Sequence, residues 1–152
     1  MNKRLLILCA GIVVVGIVGA LLYINTRPQP PSTEYQVRSV VYGLGDELSR
    51  VSLVGKPDVI AKEMDQHYAV YVHPNLLESW KNKPLSAPGR LATAAVPDRI
   101  EIQTLTLNGD GTYTAEAEIV TAIGSSPVRF VLSQGPDGWQ ITGYEVLSTP
   151  QL

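Results

Sequence analysis

Residues 99 to 107, Arg99-Ile100-Glu101-Ile102-Gln103-Thr104-Leu105-Thr106-Leu107, alternate apolar and polar side chains, but not in one phase. Ile100 and Ile102 share one parity, whereas Leu105 and Leu107 fall on the other. Successive side chains of a strand point to opposite faces, so an uninterrupted strand would expose one of these two pairs. An extra residue near Gln103-Thr104, a β-bulge, would return all four to one face and bend the strand. A second slip of the same kind falls around Gly143, between Ile141 and the Tyr144/Val146 pair.

The rest of the C-terminal half is strand and turn. Asn108-Gly109-Asp110-Gly111 is a turn signal leading into alternation from Thr112 to Ala122. Gly124-Ser125-Ser126-Pro127 reads as the next turn, before Val128, Phe130 and Leu132. Gln134-Gly135-Pro136-Asp137-Gly138 turns the chain again into Trp139 and Ile141. Four antiparallel strands in meander order follow from this, and two phase slips predict strong curvature.

The segment before the strands reads as two or three helices. Val37, Val40, Val41, Leu44, Leu48 and Val51 recur at helical spacing, with Thr33 and Gln36 as a capping box. Gly43 and Gly45 weaken that helix but would allow a close approach of another backbone or a ligand. After Gly55-Lys56-Pro57-Asp58, a second helix carries Ile60, Met64, His67, Tyr68 and Tyr71 on one side. A third starts at Pro74, with Leu76, Leu77 and Trp80 as anchors, and ends before Pro84. Residues 84 to 98, with three prolines and a glycine, read as a long loop. The predicted fold class is α+β, the helices packed within a strongly curved four-stranded antiparallel meander.

At the other end of the chain, residues 5 to 24 (LLILCAGIVVVGIVGALLYI) form twenty apolar or small residues behind Lys3-Arg4. At about 1.5 Å per helical residue this reaches roughly 30 Å, the thickness of a bilayer's hydrocarbon core. The competing reading is a cleaved signal peptide, for which Val18-Gly19-Ala20 is a poor cleavage site. The expected organisation is a transmembrane anchor at 1–25, a proline-rich spacer at 26–33, one domain at 34–148 and a tail at 149–152. Lys3 and Arg4 outnumber Arg27 on the other flank, so the N-terminus is expected in the cytoplasm and the domain outside it.

Composition excludes several functions. From Glu34 onward nine Lys/Arg face fourteen Asp/Glu, a balance of −5 with no basic run, which argues against nucleic acid as a partner. Cys9 is the only cysteine, so the domain has neither disulfides nor thiolate chemistry. Glu63 and His67 are four apart and could share a metal, but no third ligand is apparent. Neither Gly-x-Gly, at Gly43 or at Gly109, has a phosphate-loop context.

Tyr71-Val72-His73-Pro74-Asn75-Leu76-Leu77 with Trp80, and the terminal Gly138-Trp139-Gln140-Ile141 strand, resemble the nuclear-transport-factor-like superfamily. This is the cone-shaped α+β fold of ketosteroid isomerases and polyketide cyclases. Ala87-Pro88-Gly89-Arg90 and Pro97-Asp98-Arg99-Ile100-Glu101 are similar to a segment of membrane-anchored bacterial members. The resemblance spans roughly residues 35 to 147 and implies a fold rather than a reaction. An isomerase-like site in the cone's mouth would need a carboxylate base and a tyrosine donor. Asp46, Asp65 and Asp98 are bases by type, and Tyr42, Tyr68 and Tyr113 are donors by type. None falls in a motif of that family, so no catalytic, cofactor-binding or metal-ligating set is expected. Arg90, Asp98, Arg99 and Glu101 are the candidate partner or ligand contacts. The sequence therefore points to a single-pass, extracytoplasmic binding or assembly module, taking a protein partner or a small apolar ligand. The alternative is a small-molecule-binding or isomerase/cyclase-like enzyme that uses the cone pocket.

Overall fold

The structure, a computed structural model, describes residues 32–52, 54–90 and 96–147. The expected anchor, all but the end of the spacer, and the tail lie outside these residues. Among the described residues no helix is long and apolar enough to cross a membrane.

Three helices precede four strands. Helix α1 spans Thr33–Leu48, α2 Pro57–Tyr68 and α3 Pro74–Asn82, followed by a short 3-10 turn at Pro84–Ser86. The strands are β1 Pro97–Leu107, β2 Tyr113–Thr121, β3 Gly124–Gly135 and β4 Gly138–Val146, paired antiparallel in the order β1-β2-β3-β4. The expected α+β class and the meander are therefore present, with three helices where two or three were expected.

Both predicted slips are bulges. In β1, Ile102 pairs with Ala117 and Thr104 with Glu116, which leaves Gln103 as the extra residue. In β4, Ile141 pairs with Leu132 and Gly143 with Val131, which leaves Thr142 extra, its hydroxyl donating to the Val131 carbonyl at 3.3 Å. Directly opposed residues share a face. Ile100, Ile102, Leu105 and Leu107 thus stand with Ile119, Ala117, Ala115 and Tyr113, and these with Phe130, Leu132 and Val128. A third irregularity, at Asp98, was not signalled by the apolar pattern.

Helix α1 lies against β1 and β4, and α3 against β4. Val37, Val41, Leu44 and Leu48 of α1, Ile60, Met64 and Tyr68 of α2, and Leu77 and Trp80 of α3 fill one core with that face of the sheet. Gly45 sits where α1 touches β1: a Cβ there would lie 3.0 Å from the Ile100 nitrogen. Gly43 faces the ring of Tyr71. Both glycines serve packing between elements.

Several boundaries differ from the sequence reading. The N-cap of α1 is Ser32, whose hydroxyl accepts from Tyr35 N at 3.3 Å, not Thr33. A serine one residue earlier offers the same acceptor, and its extended backbone closes the first turn. Helix α2 stops at Tyr68, a turn follows in which Tyr71 N and Val72 N donate to the Tyr68 carbonyl, and Val72 then bridges to β4: Ile141 N donates to the Tyr71 carbonyl and His73 N to the Ile141 carbonyl, each at 2.9 Å. Tyr71 therefore packs from a loop. Residues 124–127 are not a turn but the start of β3, with Thr121 paired to Gly124 and Ala122-Ile123 making the reversal. Ladder bonds to β2 outweigh local turn preference there. Pro127 is tolerated because β4 ends at Val146, opposite Val128, and only Leu147 N meets the Pro127 carbonyl, at 2.9 Å.

Candidate functional site

Where α1 ends and α2 runs back past it, six polar side chains gather. Ser52, in the connection between the two helices, is held at both ends of its backbone. Its N–H donates to Glu63 Oε2 of α2 at 2.7 Å, and its carbonyl accepts from Arg90 Nη1 in a short hydrogen bond. Glu47, in the last turn of α1, takes Arg50 at 3.2 Å with one oxygen and His67 Nδ1 at 2.7 Å with the other. Glu63 and His67 share a face of α2 because they are four residues apart, yet they serve different partners. Among the described residues no group of three or more His, Cys, Asp or Glu could hold a metal ion.

Tyr68 and Arg90 complete the cluster. Arg90 is only 4% exposed, and no carboxylate lies within ion-pair distance of its guanidinium among the described residues. Its Nη2 and the Tyr68 hydroxyl are both buried without a well-formed hydrogen bond, yet the guanidinium lies close enough to favour the phenolate by charge and by hydrogen bonding. Burial pushes the Tyr68 phenol above its ordinary pKa; the Arg90 charge opposes this, and Glu47 and Glu63 add to it. A buried guanidinium of this kind ties loops together: Arg90 joins the 87–90 segment to Ser52, 38 positions earlier. Gly89, at φ +68°, packs on Pro97 and so links that segment to the start of β1.

The four contact residues named from the sequence fall into two networks. Arg90 belongs to the buried cluster. Asp98, Arg99 and Glu101 form an exposed ion triple on the edge strand β1, with Arg99 bonded to Asp98 at 2.8 Å and to Glu101 at 2.6 Å. These bonds, Glu101 first and Asp98 second, hold the Arg99 guanidinium above its ordinary pKa. Glu101 is paired directly with Glu118 of β2. Beside them Arg129 bridges Glu116 at 3.1 Å and Glu145 at 3.2 Å.

The acid and donor types named from the sequence do not converge. Asp46 and Tyr42 are exposed, Asp65 pairs with Lys81 at 2.9 Å, and Asp98 is held by Arg99. Tyr113 stands edge-on to Trp139 with ring centres 5.3 Å apart. Aromatic side chains also occupy the space between α3 and the sheet. Trp80 meets Tyr68 at 6.4 Å and Tyr144 at 5.8 Å, and Tyr144 lies 5.4 Å from Phe130. Burial there pushes the Tyr144 phenol up to about 12. Both tryptophans are core residues. The residues that sequence reasoning missed are Glu47 as the partner of His67, and Ser52 as the point on which Glu63 and Arg90 meet. Their separations of 20, 11 and 38 positions carry no periodic signal.

No protein-family model matches the chain, and no curated protein matches it. Among solved structures it is similar to the intermembrane space region of the chloroplast protein ARC6, at 16% identity and a TM-score of 0.38, over 80% of this chain and 100% of that one.

Proposed function

We propose that the chain is a single-pass, membrane-anchored assembly or binding module of the nuclear-transport-factor-like superfamily, with its domain outside the cytoplasm and a protein as its partner. The observation that carries this reading is the twenty-residue apolar run behind Lys3-Arg4, joined by a short proline spacer to a folded domain. Two further features support it. The bulges at Gln103 and Thr142 would bend the sheet around its helices, as a cone requires. The face such a cone would enclose carries Phe130, Tyr144 and Leu132 against Trp80 and Met64, side chains suited to packing rather than acid-base chemistry. The outer face, with the Asp98-Arg99-Glu101 triple and the Arg129 ladder, offers a charged surface to a partner. Crosslinking from intact membranes tests the proposal: a discrete crosslinked species is expected, and recovery of the protein alone and monomeric under all growth conditions overturns it.

A second reading draws on one observation. The unpartnered Tyr68 hydroxyl beside the Arg90 guanidinium is the kind of donor pair an isomerase- or cyclase-like site uses. That reading requires Tyr68→Phe to abolish an activity while leaving the fold intact.

A further inference from the structure

Among the described residues every aromatic side chain but two is buried or packed on the core. The exceptions are Tyr35 and Tyr42, 65% and 42% exposed. They are seven positions apart on α1, so at 100° per residue they point within about 20° of each other. Ser39 and Asp46 share that exposed face, and the buried Val37, Val41, Leu44 and Leu48 lie on the opposite side. Half-exposed Arg38 lies beside the two rings, bonded to Glu34 at 2.9 Å, with the Tyr42 hydroxyl also favouring its charge.

The helix with this face is the first element after the spacer. Only Asn25 to Ser32 separate the apolar run from α1. Eight residues span at most about 29 Å when fully extended. Helix α1 is itself about 24 Å long. A tether that short holds the face at an effective concentration of order millimolar against any surface its anchor occupies. Weak contacts then suffice.

We propose that the Tyr35–Tyr42 face of α1 docks on the lipid headgroup layer of the bilayer that holds the chain's own apolar run. The inference rests on the anchor reading of residues 5–24. Tyrosine suits that layer because its ring is apolar and its hydroxyl finds polar partners, and the Arg38 stem can lie along the surface with its guanidinium toward phosphate. Glu34 pairs with Arg38 and Asp46 stands on the same face as the two rings, so the attraction is not one of basic protein for anionic lipid. Zwitterionic headgroups are sufficient, and docking is insensitive to salt. The domain would then be fixed in orientation, presenting its remaining surfaces to a partner.

The test uses the full chain, isotope-labelled, in phosphatidylcholine nanodiscs doped with a gadolinium-chelating headgroup lipid. Amide broadening is expected to peak on α1 with helical periodicity at Tyr35, Ser39, Tyr42 and Asp46. It should fall by about half or more in Tyr35→Ser/Tyr42→Ser, whose exposed positions leave the fold intact. Uniform broadening, a maximum on the sheet, or no change in the double variant overturns the proposal. Flotation of the same chain with phosphatidylcholine vesicles separates the two levels. A chain that fails to float removes the anchor reading, whereas one that floats with α1 unbroadened removes the docking alone.

Discussion

A methyl group placed on Gly45 of α1 would stand 3.0 Å from the backbone nitrogen of Ile100 and 3.2 Å from its Cβ, so the helix and the edge strand meet where only glycine leaves room. Gly43, two residues earlier, meets the far end of the Tyr71 ring instead. A ring can turn; a strand held in its ladder cannot. Gly45→Ala is therefore expected to destabilise the domain by about 1–2 kcal/mol despite its better helix propensity. Gly43→Ala should fall within about 0.5 kcal/mol of neutral, the propensity gain offsetting the movement of Tyr71. Urea unfolding of the two variants side by side decides this, and equal losses would contradict it.

Deletion of Gln103 removes the β1 bulge and leaves Ile100, Ile102, Leu105 and Leu107 in a single alternation opposite the same β2 partners, so it straightens the strand without moving an apolar side chain to the charged face. The loss expected is that of the bend and of its fit to the helices, about 1 kcal/mol, against less than about 0.5 kcal/mol for Gln103→Ser, which keeps the bulge. Thermal melts followed by circular dichroism check the contrast.

The buried cluster separates a used group from an idle one. Arg90→Ala leaves the Ser52 carbonyl without its charged donor and opens space under the 87–90 segment, so a cost of about 3 kcal/mol is expected. Tyr68→Phe removes a buried hydroxyl that makes no well-formed hydrogen bond, only a loose contact with the Arg90 guanidinium, and stability should hold or rise by up to about 1 kcal/mol. A marked loss in Tyr68→Phe, measured by denaturant midpoint, would mean that the hydroxyl is bonded in the folded protein.

Tyr144 gives a pH signature. Its folded pKa, pushed up to about 12, lies above the ordinary value of 10.0. Above pH 10 the unfolded chain releases a proton that the folded protein retains, so stability is full below about pH 10 and is lost as pH rises toward 12. The two-unit gap corresponds to on the order of 3 kcal/mol. Tyr68, also raised, acts in the same direction. Urea midpoints between pH 9 and 12 should fall less steeply in Tyr144→Phe than in the parent; parallel curves would rule the assignment out.

The fold class was legible because it rests on periodicity. The two-residue alternation of the strands, the 3.6-residue recurrence of Val37 to Leu48, and the parity breaks at Gln103 and Gly143 are all local, and each is enforced by burial of one face. Turn chemistry was less reliable. Gly124 to Pro127 have the composition of a turn, but pairing with Thr121 to Glu118 makes them strand. Local preference is worth tenths of a kcal/mol per residue, and a formed ladder outweighs it.

The cluster around Ser52 left no mark in the sequence. Spacing paired His67 with Glu63, four positions away, yet Glu47 takes its ring from another helix and Glu63 turns to a backbone N–H. Arg90 looked like a surface contact because it sits in a proline- and glycine-rich segment. Its burial depends on Gly89 packing against Pro97 and on a carbonyl 38 positions earlier. By itself the sequence determined the element types, their order, the face each buries and the apolar run ahead of them, since these depend on neighbours along the chain. The tertiary structure alone decided which charges meet and which stay buried, because those outcomes depend on segments that only folding brings into contact.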